Sequence, residues 1–229
     1  MNWPTKKVER QTIGEEIANA ISHGIMVPLS IFIFCFFHKC SLKGNSDVSR
    51  IPLLAFIVTM MILYSMSSLY HALAFTKAKK LFQRFDHISI YLLIWGSFFP
   101  FLFLKLNQEM FSIGNLKVTK GWVFFLIQTI VVFIGMSFKI LSFDKGEKLH
   151  LFLFLILGWS GLFLIHSLLE LPISLLFLVL GGVAYSAGVI FYNNSYKKYY
   201  HFIWHLFVNA GNLLHVVAIH YMLKSLPLL

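Results

Sequence analysis

The sequence predicts an all-α integral membrane protein with seven transmembrane helices. Hydrophobic residues make up 58% of its 229 residues and charged residues only 12%, about half the charged share of a typical soluble domain. Charged residues also divide the chain into seven uncharged stretches, each long enough to cross a hydrocarbon core of about 30 Å. Backbone amides in lipid must pair within their own segment, so these stretches are predicted helices rather than strands. They are 17–38, 51–76, 87–104, 121–138, 149–169, 171–196 and 199–223.

The net charge of +10 reflects the orientation of the chain rather than a nucleic-acid partner. Of the 19 Lys and Arg residues, twelve fall on the side of the N-terminus and seven on the opposite side. Because cytoplasmic loops carry the excess of positive charge, we expect a cytoplasmic N-terminus and an external C-terminus. The predicted organisation is a cytoplasmic segment (1–16), a single transmembrane domain (17–223) and an external tail (224–229). Membrane lipids are the expected partners, with no nucleic acid and no soluble cofactor.

The seventh helix carries the most informative polar pattern. Three imidazoles and two amides are spaced by four, four, three and three residues, which places them in one stripe along the helix. Such a stripe can hold neighbouring helices together through hydrogen bonds. A His pair at i and i+4 can instead bind one metal ion from a single face. The residues are His201, His205, Asn209, Asn212 and His215.

Further polar pairs end the second helix and open the third. Ser67 and His71 lie at i and i+4, and Asp86 and His87 follow the next charged connection. A lone His near a helix end is commonly an interfacial residue. Asp86 alone has a simple alternative, which is to cap the N-terminus of its helix.

The first helix begins with Glu16, Asn19 and His23 on one face, which by itself indicates interfacial polar anchors. The predicted topology changes this interpretation, because the polar ends of the first, second, third and seventh helices then share the cytoplasmic leaflet. Ionisable groups inside a membrane are costly and mark functional sites, and three imidazoles with a carboxylate favour a zinc site. Three His ligands leave a fourth position for water, as in catalytic zinc sites.

The remaining polar residues fit this site less directly. Gly181, Tyr185 and Gly188 form a small–large–small face of the sixth helix, which predicts close helix packing, with a substrate contact of Tyr185 as the alternative. Four histidines are interpreted as interfacial because they fall near helix ends or in an outer loop: His38, His150, His166 and His220.

Five segments together resemble the hemolysin III family, the bacterial branch of the progestin and adipoQ receptor (adiponectin receptor-like) superfamily. They are EIANAISHG (16–24), SSLYH (67–71), FDHISIYLLIWGSFFP (85–100), GGVAYSAGVIFY (181–192) and HFIWHLFVNAGNLLH (201–215). They occur in the family order, and the similarity extends over about residues 13–222. One departure is SFFP at 97–100, where bacterial relatives usually have Thr-Tyr-Thr-Pro.

The resemblance implies a cytoplasmic N-terminus and a zinc ion near the cytoplasmic leaflet. By this match His71, His201 and His205 would be the zinc ligands, Asp86 would hold the zinc-bound water, and Ser67 would support catalysis. The superfamily is associated with ceramidase-like hydrolysis of lipid amides, and the bacterial branch with membrane-lipid homeostasis in the bacterial cytoplasmic membrane. We further expect five residues to surround the metal or contact the substrate: Glu16, Asn19, His23, Tyr185 and His215.

Three functions remain open from the sequence. The favoured one is a zinc-dependent hydrolase of a lipid amide or ester, in which Asp86 moves a proton between water and leaving group. The second is a cytolytic, pore-forming protein whose polar stripe lines a water path. The third is a non-enzymatic sensor of membrane state with a structural zinc.

Overall fold

The computed structural model describes residues 11–44, 50–113, 116–141 and 146–225. Within these residues the chain forms nine α-helices and one antiparallel β-hairpin. The helices are α1 (Ile13–Gly24), α2 (Met26–Gly44), α3 (Ile51–Ala72), α4 (Lys79–Pro100), α5 (Lys120–Leu141), α6 (Glu147–Trp159), α7 (Ile165–Leu168), α8 (Pro172–Tyr192) and α9 (Tyr200–Ser225). The hairpin comprises β1 (Met110–Ile113) and β2 (Leu116–Thr119).

Seven helical stretches of the described chain are long and apolar enough to cross a membrane. They correspond to α1 with α2, then α3, α4, α5, α6 with α7, α8 and α9. Helix α1 exposes Ile13, Ile17 and Ile21 and buries its polar face, the opposite of a helix on a soluble protein. The fold class predicted from the sequence is confirmed, while the compartment in which each terminus lies stays a prediction.

Two prolines interrupt helices that would otherwise be continuous. Pro28 lacks the N–H that would bond the Gly24 carbonyl, and its ring crowds the preceding turn. Helix α1 therefore ends at Gly24 and α2 begins at Met26. Pro100 acts similarly at the end of α4, where the chain widens into a π-helical segment, Phe101–Lys105, and then a 3₁₀ turn, Leu106–Gln108.

Helix α4 begins at Lys79, about two turns before the start that the charge pattern predicted. Its first turns contain Lys79, Lys80 and Arg84, so cutting the sequence at charged residues removed them from the helix. Asp86 consequently lies inside α4 and is buried. The interpretation of Asp86 as a cap of its helix is therefore wrong.

Helix α1 lies between two helices that carry the predicted histidine ligands, α3 and α9. Helix α3 packs along α4, α8 packs along α9, and α1 contacts both α3 and α9. The apolar core beside these helices includes Phe56, Met60, Tyr64 and Ile219. The polar face of α1 is thus enclosed between the C-terminal end of α3 and the N-terminal end of α9.

The β-hairpin closes the connection between α4 and α5, at the opposite end of α4 from Asp86. Lys120 Nζ donates to Glu109 Oε2 at 2.7 Å across the base of the hairpin. Partial burial disfavours the charged carboxylate, but hydrogen bonds from Lys120 and Ser167 and nearby lysine charges outweigh it and lower the pKa of Glu109. Glu109 therefore stays ionised, and the hairpin is held by a charged pair.

Candidate functional site

Three imidazoles from two helices meet near one end of the bundle. His71 lies in the last turn of α3, and His201 and His205 lie in the first two turns of α9. The ring centroid of His71 is 5.1 Å from that of His201 and 5.0 Å from that of His205, and the α9 pair is 4.7 Å apart. One ring nitrogen of each residue lies within 4.8 Å of the others. Residues i and i+4 face the same way on a helix, so α9 presents two rings to the third from α3.

The spacing and the chemistry of the three ring nitrogens fit a zinc ion. Nitrogens bound at 2.0–2.1 Å to one tetrahedral zinc are about 3.4 Å apart, so small ring rotations would bring the three nitrogens to ligand distance. Nε2 of His71 and Nε2 of His201 are buried and have no hydrogen-bond partner among the described residues. An unsatisfied buried nitrogen is unfavourable, and imidazole nitrogen is a good ligand for zinc and several other divalent metals. The three histidines could therefore hold one metal ion.

Helix α1 orients two of the three rings. Glu16 Oε2 lies 2.7 Å from His71 Nδ1. On the other side, His205 Nδ1 lies 3.0 Å from Ser22 Oγ and 3.3 Å from the carbonyl oxygen of Asn19. A hydrogen bond at Nδ1 leaves Nε2 to face the centre, and metal-ligating histidines usually donate their second ring nitrogen in this way. The Nδ1 atoms of His71 and His205 thus already have the contacts that are usual for metal-ligating histidines.

The polar face of α1 is a wall of the site rather than a set of interfacial anchors. Glu16, Asn19 and His23 are 4%, 0% and 3% exposed. The ring of His23 stacks on that of His205 with centroids 3.6 Å apart and an interplanar angle of 7°. These three residues therefore contact the imidazole cluster, and their role around a metal ion or substrate stays a prediction.

A carboxylate faces the same space. Asp86 is 7% exposed and accepts a hydrogen bond from Ser67. Both residues line a cavity of about 100 Å³ together with His201 and His205, which is room for several water molecules. The cavity therefore brings a proton acceptor next to the imidazoles.

Apolar side chains form most of the cavity walls away from this polar end. They come from α4, α6, α8 and α9 and include Leu93, Phe154, Val189 and Val208. A concave site with mainly apolar walls and a few convergent polar groups is typical of a small-molecule site. An amphipathic molecule such as a membrane lipid matches a cavity with one polar end and apolar walls.

Tyr185 and His215 line the same cavity but lie away from the imidazole cluster. His215 is ten residues beyond His205, about 15 Å further along α9. It bonds the carbonyl of Leu178, and its ring centroid is 5.5 Å from that of Tyr185. Both residues therefore line the cavity outside the group of candidate metal ligands, and a contact with substrate stays a prediction.

Close packing of α8 on α9 is confirmed at the glycines. A Cβ on Gly181 would meet the His215 ring and lie 3.1 Å from the carbonyl oxygen of Gly211. A Cβ on Gly211 would lie 2.8 Å from the Tyr185 ring. Tyr185 thus serves the helix contact and also faces the cavity.

The prediction that His38 lies in an outer loop is wrong, because this residue lies inside α2. The other three histidines differ in environment. His150 is 3% exposed, and its Nδ1 lies 2.8 Å from Tyr91 Oη, so it forms a buried helix contact rather than facing the membrane interface. His166 is exposed, and His220 is half-buried beside Phe36. None of the three joins the group of metal-ligating residues found in the described part of the chain.

Two residues of the site were missed from the sequence. Ser22 contacts His205, and Lys79 Nζ donates to Glu16 Oε1 at 2.8 Å. The signal for Ser22 was present, because it follows Asn19 by three residues and so lies on the same side of α1. Lys79 had no local signal, since nothing in the sequence brings the start of α4 to α1.

In the described chain, seven apolar helical stretches with buried polar groups gathered at one end define an integral, multi-pass membrane protein. The chain belongs to the haemolysin-III related family, whose model matches residues 11–216. It is 37% identical to the Hemolysin-3 homolog of Bacillus subtilis (strain 168) over 205 residues, which cover 88% of this chain and 91% of that protein. Hemolysin-3 of Bacillus cereus is 35% identical over 214 residues, 91% of this chain and 92% of its own length. The human monocyte to macrophage differentiation factor is 26% identical over 219 residues, with coverage of 92% and 85%.

Proposed function

We propose that this protein is a zinc-dependent hydrolase of a lipid amide or ester, acting within the membrane. The observation that carries the proposal is the shared cavity. Asp86 and two imidazoles of the candidate metal centre lie at one end of it, and apolar side chains line the rest. A lipid with a polar carbonyl group and a long apolar chain matches both parts. The family resemblance to ceramidase-like proteins supports the same reaction class.

The roles of the chain's own residues follow from their contacts. A zinc ion held by His71, His201 and His205 would supply Lewis-acid chemistry, polarising a carbonyl and making a nearby water more acidic. Asp86 accepts a proton from the attacking water on its carboxylate and returns it to the leaving nitrogen or oxygen. Ser67 donates a hydrogen bond to Asp86 and so fixes the orientation of that carboxylate. Apolar walls exclude bulk water from the rest of the cavity.

The proposed site lies at the cytoplasmic leaflet. Its basis is the distribution of Lys and Arg, which favours a cytoplasmic segment 1–16 and an external tail 224–229. Residues 226–229 and 1–10 lie outside the described residues. Relatives from Bacillus support a bacterial cytoplasmic membrane. The mainly apolar walls of the cavity support membrane lipids as substrates.

Metal analysis of the purified protein tests the centre. We expect about one zinc per chain, because three imidazoles and a water complete a tetrahedral shell. His205→Ala should lose most of the metal, since it removes a ligand. His220→Ala is the matched control on the same helix and should keep it. Equal metal content in both variants would contradict the centre.

Asp86→Asn tests the chemistry. The substitution keeps the shape of the side chain but removes the proton acceptor, so it should retain zinc and lose on the order of 10²-fold or more in hydrolysis rate. The rate is measured on a panel of ceramides and phospholipids in mixed micelles. Glu109→Gln, in the distant hairpin connection, is the control. A zinc-loaded parent that hydrolyses nothing on the panel would contradict the hydrolase.

A further inference from the structure

The turn before α9 holds one residue in an uncommon backbone conformation. Tyr199 has φ of 61°, and in the described chain no other residue except a glycine has a positive φ. Bulky L-residues adopt this left-handed conformation at a cost, and they keep it where surrounding contacts impose it. Tyr199 immediately precedes α9 and lies two residues before His201.

A side chain from near the other end of the chain bonds the backbone of this residue. The backbone N–H of Tyr199 donates to Glu15 Oε1 at 2.7 Å. The second oxygen, Glu15 Oε2, accepts from the N–H and the hydroxyl of Thr12 at 2.9 and 2.8 Å, within the capping box of α1. Glu15 is 8% exposed. Its carboxylate is therefore held on both sides and cannot follow a moving turn.

The location of Glu15 explains what this contact does for α9. A helix usually begins with a short polar side chain that bonds its free N–H groups, and Tyr199 has none to offer. Glu15 instead places a carboxylate at the N-terminal end of α9, where the helix dipole favours negative charge. The carbonyl of Tyr199 then accepts the N–H of Ile203 at 3.0 Å and starts the helix. Helix α1 thus supplies an acceptor for the N–H of the residue that precedes α9.

We propose that Glu15 and Tyr199 are a positioning pair that fixes the first turn of α9, and with it His201, relative to His71. Neither member of the pair lines the cavity. The neighbouring Glu16 holds His71 of α3, so two adjacent carboxylates in one turn of α1 hold both ligand-bearing helices. The inference rests on the proposed function, because the geometry that the pair fixes is that of the metal centre.

Zinc affinity of the purified full chain, measured by competition with a chromogenic chelator, tests the pair. Glu15→Ala should weaken zinc binding by about 10- to 100-fold, the usual effect of removing an outer partner of a metal site. Glu15→Gln keeps an acceptor oxygen and should lose less. Adding Tyr199→Gly to Glu15→Ala should recover most of the loss, because glycine adopts the left-handed conformation without penalty.

Glu170→Ala is the matched control, since this exposed carboxylate pairs with Lys105 at the opposite end of the bundle from the first turn of α9. It should bind zinc as the parent does. Parental affinity in Glu15→Ala would overturn the proposal, and so would a loss that Tyr199→Gly leaves unchanged, because the strain at this turn would then play no part.

Amide hydrogen exchange on the metal-free protein separates this inference from the proposed function. Glu15→Ala should speed exchange of the segment 197–205, and unchanged protection there would overturn the pair. A parent that binds no zinc, with faster exchange in Glu15→Ala, would contradict the metal centre and still support the anchoring of α9 by Glu15.

Discussion

Glu16 is a single residue that both orients a histidine of the site and connects neighbouring helices. It is 4% exposed and uses both carboxylate oxygens, one on His71 and one on Lys79. A buried carboxylate without partners would be strongly unfavourable, and these two contacts compensate its burial. Because Lys79 begins α4 while Glu16 lies in α1, the same contacts join three helices around one imidazole.

Lys79→Met is expected to weaken zinc binding about 10-fold, the lower end of the range for partners outside the ligand shell. The substitution removes the donor that fixes Glu16, which then holds His71 less firmly. Lys79→Arg keeps a positive donor and should lose less. Zinc affinity by chelator competition measures both variants.

Lys80→Met provides the control for Lys79→Met, because Lys80 follows Lys79 in the same helix and has an exposed side chain. Equal weakening by the two substitutions would show that only the overall positive charge near the site matters, and would contradict a specific contact to Glu16.

At the scale of helices, the sequence predicts the features that depend on the average properties of many residues. Hydropathy over some twenty residues identifies each of the seven spans, and the i, i+4 spacing places His201 and His205 on one face. The start of α4 was missed because Lys79, Lys80 and Arg84 are charged yet helical. Contacts between helices, such as Lys79 with Glu16 or Glu15 with the backbone of Tyr199, have no local signal, since they depend on how distant helices pack.

Because α8 and α9 are in close contact, adding a single methyl group between them should lower the stability of the protein. Gly181→Ala should destabilise the protein by about 1–3 kcal/mol, the usual effect of overpacking, because the new Cβ meets His215 and the backbone of Gly211. Thermal unfolding in detergent measures the change.

Gly158→Ala is the matched control for Gly181→Ala, because no atom lies within 4 Å of a Cβ at that position. It should leave stability unchanged or raise it, since alanine favours helix over glycine. An equal loss in both variants would mean that the contact between α8 and α9 is not the cause.

At the scale of the whole molecule, the polar groups of the candidate site are gathered at one end of the helix bundle. The imidazole cluster, Asp86 and the polar face of α1 lie at the end of the bundle that carries the α3–α4 and α8–α9 turns. The cavity beyond them has mainly apolar walls. A water-filled pore would need polar side chains along its length, so this asymmetry argues against the pore-forming alternative.

Thiol labelling of intact cells tests the predicted sidedness. In a Cys35→Ser, Cys40→Ser background, Lys77→Cys and Lys197→Cys should react with an impermeant reagent only after lysis, and Ser225→Cys should react from outside. Reversed labelling of all three would invert the protein and move the site to the outer leaflet. Labelling of positions 77 and 197 from opposite sides would contradict the fold, because the turns that carry them lie at the same end.

The contacts between α1 and α9 also determine when the site can form during synthesis. Ser22 bonds His205, and Glu15 bonds Tyr199, across sequence separations of 183 and 184 residues. The ribosome completes α1 first and α9 last, so a nascent chain of six spans has His71 without the other two imidazoles of the cluster. Chains truncated before α9 cannot assemble the three-imidazole cluster, so binding of a metal ion by this cluster would be a late step that requires α9.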